Sequence, residues 1–237
     1  MRRIDDPDVV RTQYADESNL GARKAIYDYA EGPSPREVAF QAIADCAPRR
    51  VLEVGGGEGE LAERIVNELD AELTFVDQSE RMVEIARGRG LDAHVGDVQD
   101  LPFANASFDC AVAAWMLYHV PDLERGIAEL ARVLEPGGHL VAVTNAADHL
   151  AELRQVAGHE AFWTGMTFRR ENGAELLGKS FSSVEARDAH GWVSIPDDQM
   201  IWAYLRSMSA ADPPAELAPH DLPLRVRYRS TVFVATK

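Results

Sequence analysis

The sequence has little cysteine, no long apolar run and no excess of positive charge, and each shortage closes off a class of protein. Only Cys46 and Cys110 occur in 237 residues. They lack metal-ligand spacing, which argues against a disulfide framework or a zinc site; two reduced structural thiols suit a cytoplasmic protein. No apolar stretch reaches the roughly 18 residues of a membrane-spanning helix. The opening residues, Met1-Arg2-Arg3-Ile4-Asp5-Asp6-Pro7, have no apolar stretch behind their arginines, unlike a signal peptide. Twenty-four Lys and Arg against 39 Asp and Glu leave a net charge of −15. Such a surface repels phosphate backbones and anionic lipid, so neither nucleic acid nor membrane is expected as a partner. No set of His, Asp and Glu has the spacing of a metal site, so no metal is expected.

What is present is an alternation. A helix is expected from Arg36 to about Ala47, stopped by Pro48. Arg50–Val54 then reads as a buried strand, and Glu60–Leu69 has helical spacing at 61, 62, 65, 66 and 69. Leu73–Val76 is a strand, and Ser79 caps a helix that runs to about Arg87. Ala93–Val95 and Phe108–Ala114 are further strands. Asp122 begins a helix to about Leu134, ended by Pro136-Gly137-Gly138, and His139–Val143 is the next strand. This order implies a parallel sheet with helices on both faces, and ligands bind such sheets at the carboxyl ends of the strands. Beyond residue 150 the pattern loosens: helices near 148–157, Glu171–Leu177 and Asp197–Met208, and strands Phe181–Asp188 and Val226–Ala235. Residues 1–34 read as polar and irregular.

The first strand runs directly into Gly55-Gly56-Gly57-Glu58-Gly59. Glycines at a strand end that enters a helix bring backbone N–H groups close to a ligand. A dinucleotide fingerprint needs a third glycine three positions after the second, and that place holds Glu60. A Walker loop fails for want of a Gly-Lys-Ser/Thr. Glu53, Glu58 and Glu60 crowd the loop, which disfavours a pyrophosphate and suits a cationic ligand such as S-adenosylmethionine. Asp77, at the end of the second strand, is placed to accept from both ribose hydroxyls. Asp97, after the third, can take an adenine amino proton.

With these stretches the sequence resembles the class I S-adenosylmethionine-dependent methyltransferases, in particular the small-molecule group that includes the ubiquinone-type enzymes. The matching segments are Val51–Gly59, Phe75–Ser79, Gly96–Phe103, Ser107–Asp109 and Arg132–Gly138, covering about 36–146. The resemblance implies a Rossmann-like α/β fold, with a seven-stranded, mostly parallel sheet, an antiparallel last strand and helices on both faces. It implies one methyltransferase domain over 36–237: a cofactor half at about 36–146, substrate-side elements at about 147–225, and Val226–Ala235 as the inserted last strand beside Phe181–Asp188. Residues 1–35 would form a lid. By the same resemblance Glu53, Gly55 and Gly57 line the methionine end of S-adenosylmethionine, Asp77, Gln78 and Met82 the ribose, and Asp97 and Val98 the adenine. Backbone near Ala114-Trp115 closes the site. The segment Tyr14–Leu20 with Arg23 resembles a lid found in some relatives.

Methyl transfer from a sulfonium is an in-line displacement, so the protein chiefly supplies alignment. A base is needed only if the acceptor must lose a proton. The candidate is His119, just past the fourth strand. The acceptor pocket is expected to draw on Tyr14, Arg23, Tyr27, Tyr118, Trp163 and Phe168, whose aromatic walls suit a small planar or apolar molecule. Three functions compete: methyl transfer to O, N or C of a small molecule, releasing S-adenosylhomocysteine; a non-catalytic S-adenosylmethionine-binding regulatory or assembly module; and a nicotinamide oxidoreductase, which Glu60 disfavours. The chain is expected to act as a monomer or homodimer.

Overall fold

The computed structural model describes residue 5 and residues 17–158, 166–208 and 214–237. Its centre is a sheet whose first parallel strand, β2 (Arg50–Val54), lies in the middle rather than at an edge. From β2 the chain moves outward through β3 (Glu72–Asp77) and β4 (Asp92–Val95). It then returns to the other side of β2 with β5 (Phe108–Ala114) and β6 (Leu134–Asn145). These five strands are mutually parallel. β7 (Ser183–Ile195) and β8 (Leu224–Thr236) complete the expected seven, with β8 antiparallel between β6 and β7. A two-residue strand from the N-terminal segment, β1 (Ala30–Glu31), adds an eighth at the β7 edge.

Strand alternation assigns the residues to two faces. Val51, Phe75, Cys110, Val112, Val141 and Val143 pack on one face against α2 (Pro35–Asp45), α3 (Glu60–Leu69) and α4 (Glu80–Gly88). Leu52, Val54, Val76, Ala111 and Ala113 pack on the other, against α5 (Leu123–Val133). Ser34, Ser79 and Asp122 accept from backbone N–H groups at the starts of α2, α4 and α5, so the polar residue before each apolar run sets where that helix begins. Order reverses between β2 and β5, which opens a crevice where their carboxyl ends diverge.

Several boundaries depart from expectation. Residues 17–29 are not irregular: α1 (Glu17–Ala25) leads into a short 3-10 turn, Ile26–Tyr29. Ile26 is fully buried in a third apolar cluster with α6 (Ala151–Val156), α8 (Asp198–Arg206) and the far ends of β7 and β8. Tertiary burial there overrides a weak local signal. Pro136-Gly137-Gly138 does not separate helix from strand. β6 already begins at Leu134, opposite Phe108, and the glycines absorb a register shift before Cys110 meets His139. β7 and β8 are each 13 residues long, running past β6 to form a platform for the third cluster. α7 (Arg170–Leu177) matches its expected position closely.

Candidate active site

The crevice at the β2–β5 divergence is an open cleft of about 650 Å³, lined by Gly55, Gly57, Asp77, Asp97, Val98, Trp115, His119 and neighbours. The glycine turn forms its floor. Gly55 and Gly57 have φ of +64° and +59°, conformations that other residues adopt only under strain. A Cβ on Gly55 would also stand 2.8 Å from Met116 Cβ. The chain therefore turns in left-handed steps, with the Gly55 N–H donating to Val76 O at 2.8 Å and the Gly57 N–H to Asp77.

Two carboxyls sit below that floor. Asp77 is 8% exposed and accepts from Ser79 N at 2.9 Å and from Gly57 N at 3.4 Å. Burial raises its pKa to about 6, against backbone N–H groups that favour the anion. Glu53 is 1% exposed, and burial followed by the charge of Asp77 pushes its carboxyl up to about 8, opposed by a backbone hydrogen bond from Ala62. Its Oε2 has no hydrogen-bond partner among the described residues. A buried carboxyl oxygen without a partner beside a glycine turn fits a ligand that brings a cation or an N–H donor.

The opposite wall comes from the loops after β4 and β5. Asp97 is exposed, and both of its oxygens accept from Gln99 Nε2, at 3.1 and 3.0 Å. The Asp122 backbone N–H donates to Gln99 Oε1 at 2.9 Å, which fixes how that amide points. Gln99 thereby ties Asp97 to the start of α5. Trp115 stands at φ +55°, strained for an aromatic residue at a cost of about 1–3 kcal/mol, which is the kind of backbone outlier that collects at functional sites. His119 is 8% exposed in the 3-10 turn Leu117–His119, with its ring 4.5 Å from that of Tyr118.

Of the residues singled out from sequence, Gly55, Gly57, Asp77, Gln78, Asp97, Val98, Trp115 and His119 line the cleft together. Glu53 and Met82 are buried, Glu53 against the glycine turn and Met82 in the first turn of α4. The acceptor-side set is not brought there. Phe168 is fully buried, with its ring 5.9 Å from that of Phe233. Tyr27 stacks edge-on with Tyr228 at 5.9 Å, and its hydroxyl meets His149 Nε2 at 3.0 Å. Arg23 Nη2 donates to Ser207 O at 2.9 Å, fastening α1 to the end of α8. Tyr118 packs in the core beneath the cleft. Tyr14 and Trp163 lie outside the described residues. Sequence reasoning missed Gln99, Met116 and Val120, which line the cleft but have side chains unremarkable for a loop. Among the described residues no helix is long and apolar enough to cross a membrane, and no three His, Cys, Asp or Glu gather as a metal site.

Comparison with known proteins assigns the region around this cleft. Residues 52–142 match the family described as "Methyltransferase domain". In this region the chain is similar to methyltransferase domains. An O-methyltransferase (cnsE) of Penicillium expansum is 35% identical over 141 residues, covering 51% of each chain. The 27-O-demethylrifamycin SV methyltransferase of Amycolatopsis mediterranei is 39% identical over 99 residues, covering 38% of this chain and 36% of its own. The chain thus spans about half, or less, of these curated relatives. A phosphoethanolamine N-methyltransferase of Haemonchus contortus, solved with S-adenosylhomocysteine, superposes with a TM-score of 0.64 at 16% identity, over 96% of this chain and 60% of that one. The family match ends within β6, and the matched residues include both carboxyls and the glycine turn.

Proposed function

We propose that the chain is an S-adenosylmethionine-dependent methyltransferase that acts on a small molecule. The observation that carries it is the pairing of a left-handed glycine turn with the buried, open-sided Glu53 carboxyl and with Asp77 at the next strand end. Glu53 and the Gly55–Gly57 turn would hold the methionine end, Asp77 and Gln78 the ribose, and Asp97 and Val98 the adenine. Bound there, the group supplies a methyl already activated on a sulfonium. The chain's own residues orient it: the glycine turn and Trp115 fix the depth of the cleft, and Gln99 holds the Asp97 carboxylate in place. Buried beside the cleft, the His119 imidazole is placed to take a proton from an acceptor hydroxyl or amine. The small-molecule acceptor is supported by the activities for which the relatives are named and by the net charge of −15.

Of the lid expected over residues 1–35, residues 17–35 lie among the described residues and serve in this proposal as that lid. Lys24 Nζ pairs with Glu58 and, at 2.8 Å, with Glu60, while Arg36 Nη1 meets Glu60 at 2.7 Å. Burial pushes the Glu60 carboxyl up, but the two cations together hold it at about 2. Leu20 Cδ1 lies 3.6 Å from where a Cβ on Gly57 would stand. α1 is thus fastened over the glycine turn by charge and by contact. The free thiols of Cys46 and Cys110 support a cytoplasmic setting.

The test is turnover of methyl-labelled S-adenosylmethionine against a panel of planar phenols, amines and carbon acids. Label transfer to at least one acceptor, with kcat about 100-fold lower in His119→Ala, is expected. Tight cofactor binding with no transfer to any acceptor favours the non-catalytic module instead.

A further inference from the structure

We propose that Asn145 and Ser230 are positioning residues that hold the Trp115 indole as a wall of the cleft, making the inserted antiparallel strand part of the active-site machinery. The inference rests on the methyltransferase function proposed above. Trp115 leaves β5 in a left-handed conformation, and its backbone N–H donates to Val143 O at 2.9 Å, so strand pairing runs right up to the turn. Its side chain is anchored through one atom: the indole Nε1–H donates to Asn145 Oδ1 at 3.3 Å. Asn145 is the last residue of β6 and stands directly opposite Ser230 in the β6–β8 ladder.

The donor pattern fixes the arrangement. An indole N–H only donates, so the Asn145 atom facing it is the amide oxygen. The Ser230 hydroxyl reaches the same oxygen at 2.8 Å and must donate to it as well. One carbonyl oxygen thus receives a donor from β8 and a donor from the cleft wall. Both residues are buried, at 6% and 1% exposure. The pairs Val141↔Val234 and Val143↔Val232 in the same ladder are apolar. A buried Asn–Ser pair carries a desolvation cost those valine pairs avoid, and it occurs where the ladder meets Trp115. Trp115 lines the cleft together with Gly55, Met116 and His119. The signal in the sequence is slight, a polar residue at the end of β6 and another midway along β8.

The probe is S-adenosylhomocysteine, titrated calorimetrically into wild type, Trp115→Phe, Asn145→Ala, Ser230→Ala and the double variants. Asn145→Ala and Trp115→Phe should each weaken binding about tenfold, and together no more than Trp115→Phe alone, because both cut one link. Ser230→Ala removes a single hydroxyl, leaves the fold undemanding to keep, and should cost about threefold, an effect that also disappears in the Trp115→Phe background. With Trp163, Trp192 and Trp202 replaced by Phe, Trp115 is the only indole; its emission should shift to the red in both Asn145→Ala and Ser230→Ala. Losses that multiply in the doubles, or an unshifted emission, overturn the proposal while leaving the methyltransferase assignment standing. Wild-type protein that takes no S-adenosylhomocysteine overturns both.

Discussion

The half of the chain around β2 to β6 and the half built on α6 to β8 are made of the same elements, yet they differ in how they hold their polar groups. In the first half, carboxyls lie at strand ends, raised in pKa by burial and left partly open: Glu53 at about 8 and Asp77 at about 6. In the second, the carboxyls with shifted pKa are lowered by arginine partners. Arg170 and Thr231 both donate to Asp188, whose carboxyl they hold at about 2. His149 is lowered to about 4 by burial, accepts from Arg229 N at 3.0 Å, and meets the Tyr27 hydroxyl. The two carboxyls that burial raises lie beside the cleft, while the far half pairs its shifted carboxyls, Asp148 and Asp188, with arginines.

The sharpest way to break this contrast is a residue that sequence placed in the acceptor pocket. Phe168→Ala should lose about 3–5 kcal/mol of stability in a denaturant titration, as expected for an emptied aromatic core site, with unchanged S-adenosylhomocysteine affinity in the folded fraction. Affinity lost at constant stability would move Phe168 back to the site. Asp77→Ala should do the reverse, weakening affinity about 100-fold with the unfolding midpoint little changed; equal affinity would remove Asp77 from the ribose role.

A third prediction concerns pH. The Glu53 carboxyl in the folded chain titrates at about 8, above its ordinary 4.5. At this group the folded state therefore binds more protons, so the stability Glu53 contributes to the apo protein is full below about 4.5 and is lost as pH rises through about 8. Glu53→Gln should flatten that decline and raise the melting temperature at pH 8 by a few degrees, while weakening cofactor binding. An identical pH slope in the variant would mean that Glu53 is not the titrating group. The smallest effect belongs to the lid. Lys24→Ala should speed S-adenosylhomocysteine dissociation by about threefold, less at high salt, because its ion pairs are partly solvated. A rate insensitive to both the mutation and salt would detach α1 from the glycine turn.

The same contrast explains what could be read from the residues alone. The alternation through β6, the glycine turn and its acids follow from local rules: period, capping, and the left-handed turns that glycine permits. Helix starts at Ser34, Ser79 and Asp122 were legible for that reason. The far half depends on contacts between distant segments. Ile26 is buried by residues more than a hundred positions away, so α1 and its turn looked irregular. Tyr27 and Phe168 were aromatic and near a loop, which suits a pocket and a core equally; only packing separates the two. Gln99 and Asn145 act through hydrogen bonds to groups 23 and 30 residues away, and nothing local to either one signals that role.

The central claim is that the cleft between β2 and β5 takes S-adenosylmethionine and not a dinucleotide. Calorimetric titration of the purified chain with S-adenosylhomocysteine and, separately, with NAD tests it most directly. Saturable, one-to-one binding of S-adenosylhomocysteine with no heat from NAD is the predicted result; NAD binding without S-adenosylhomocysteine binding would contradict it.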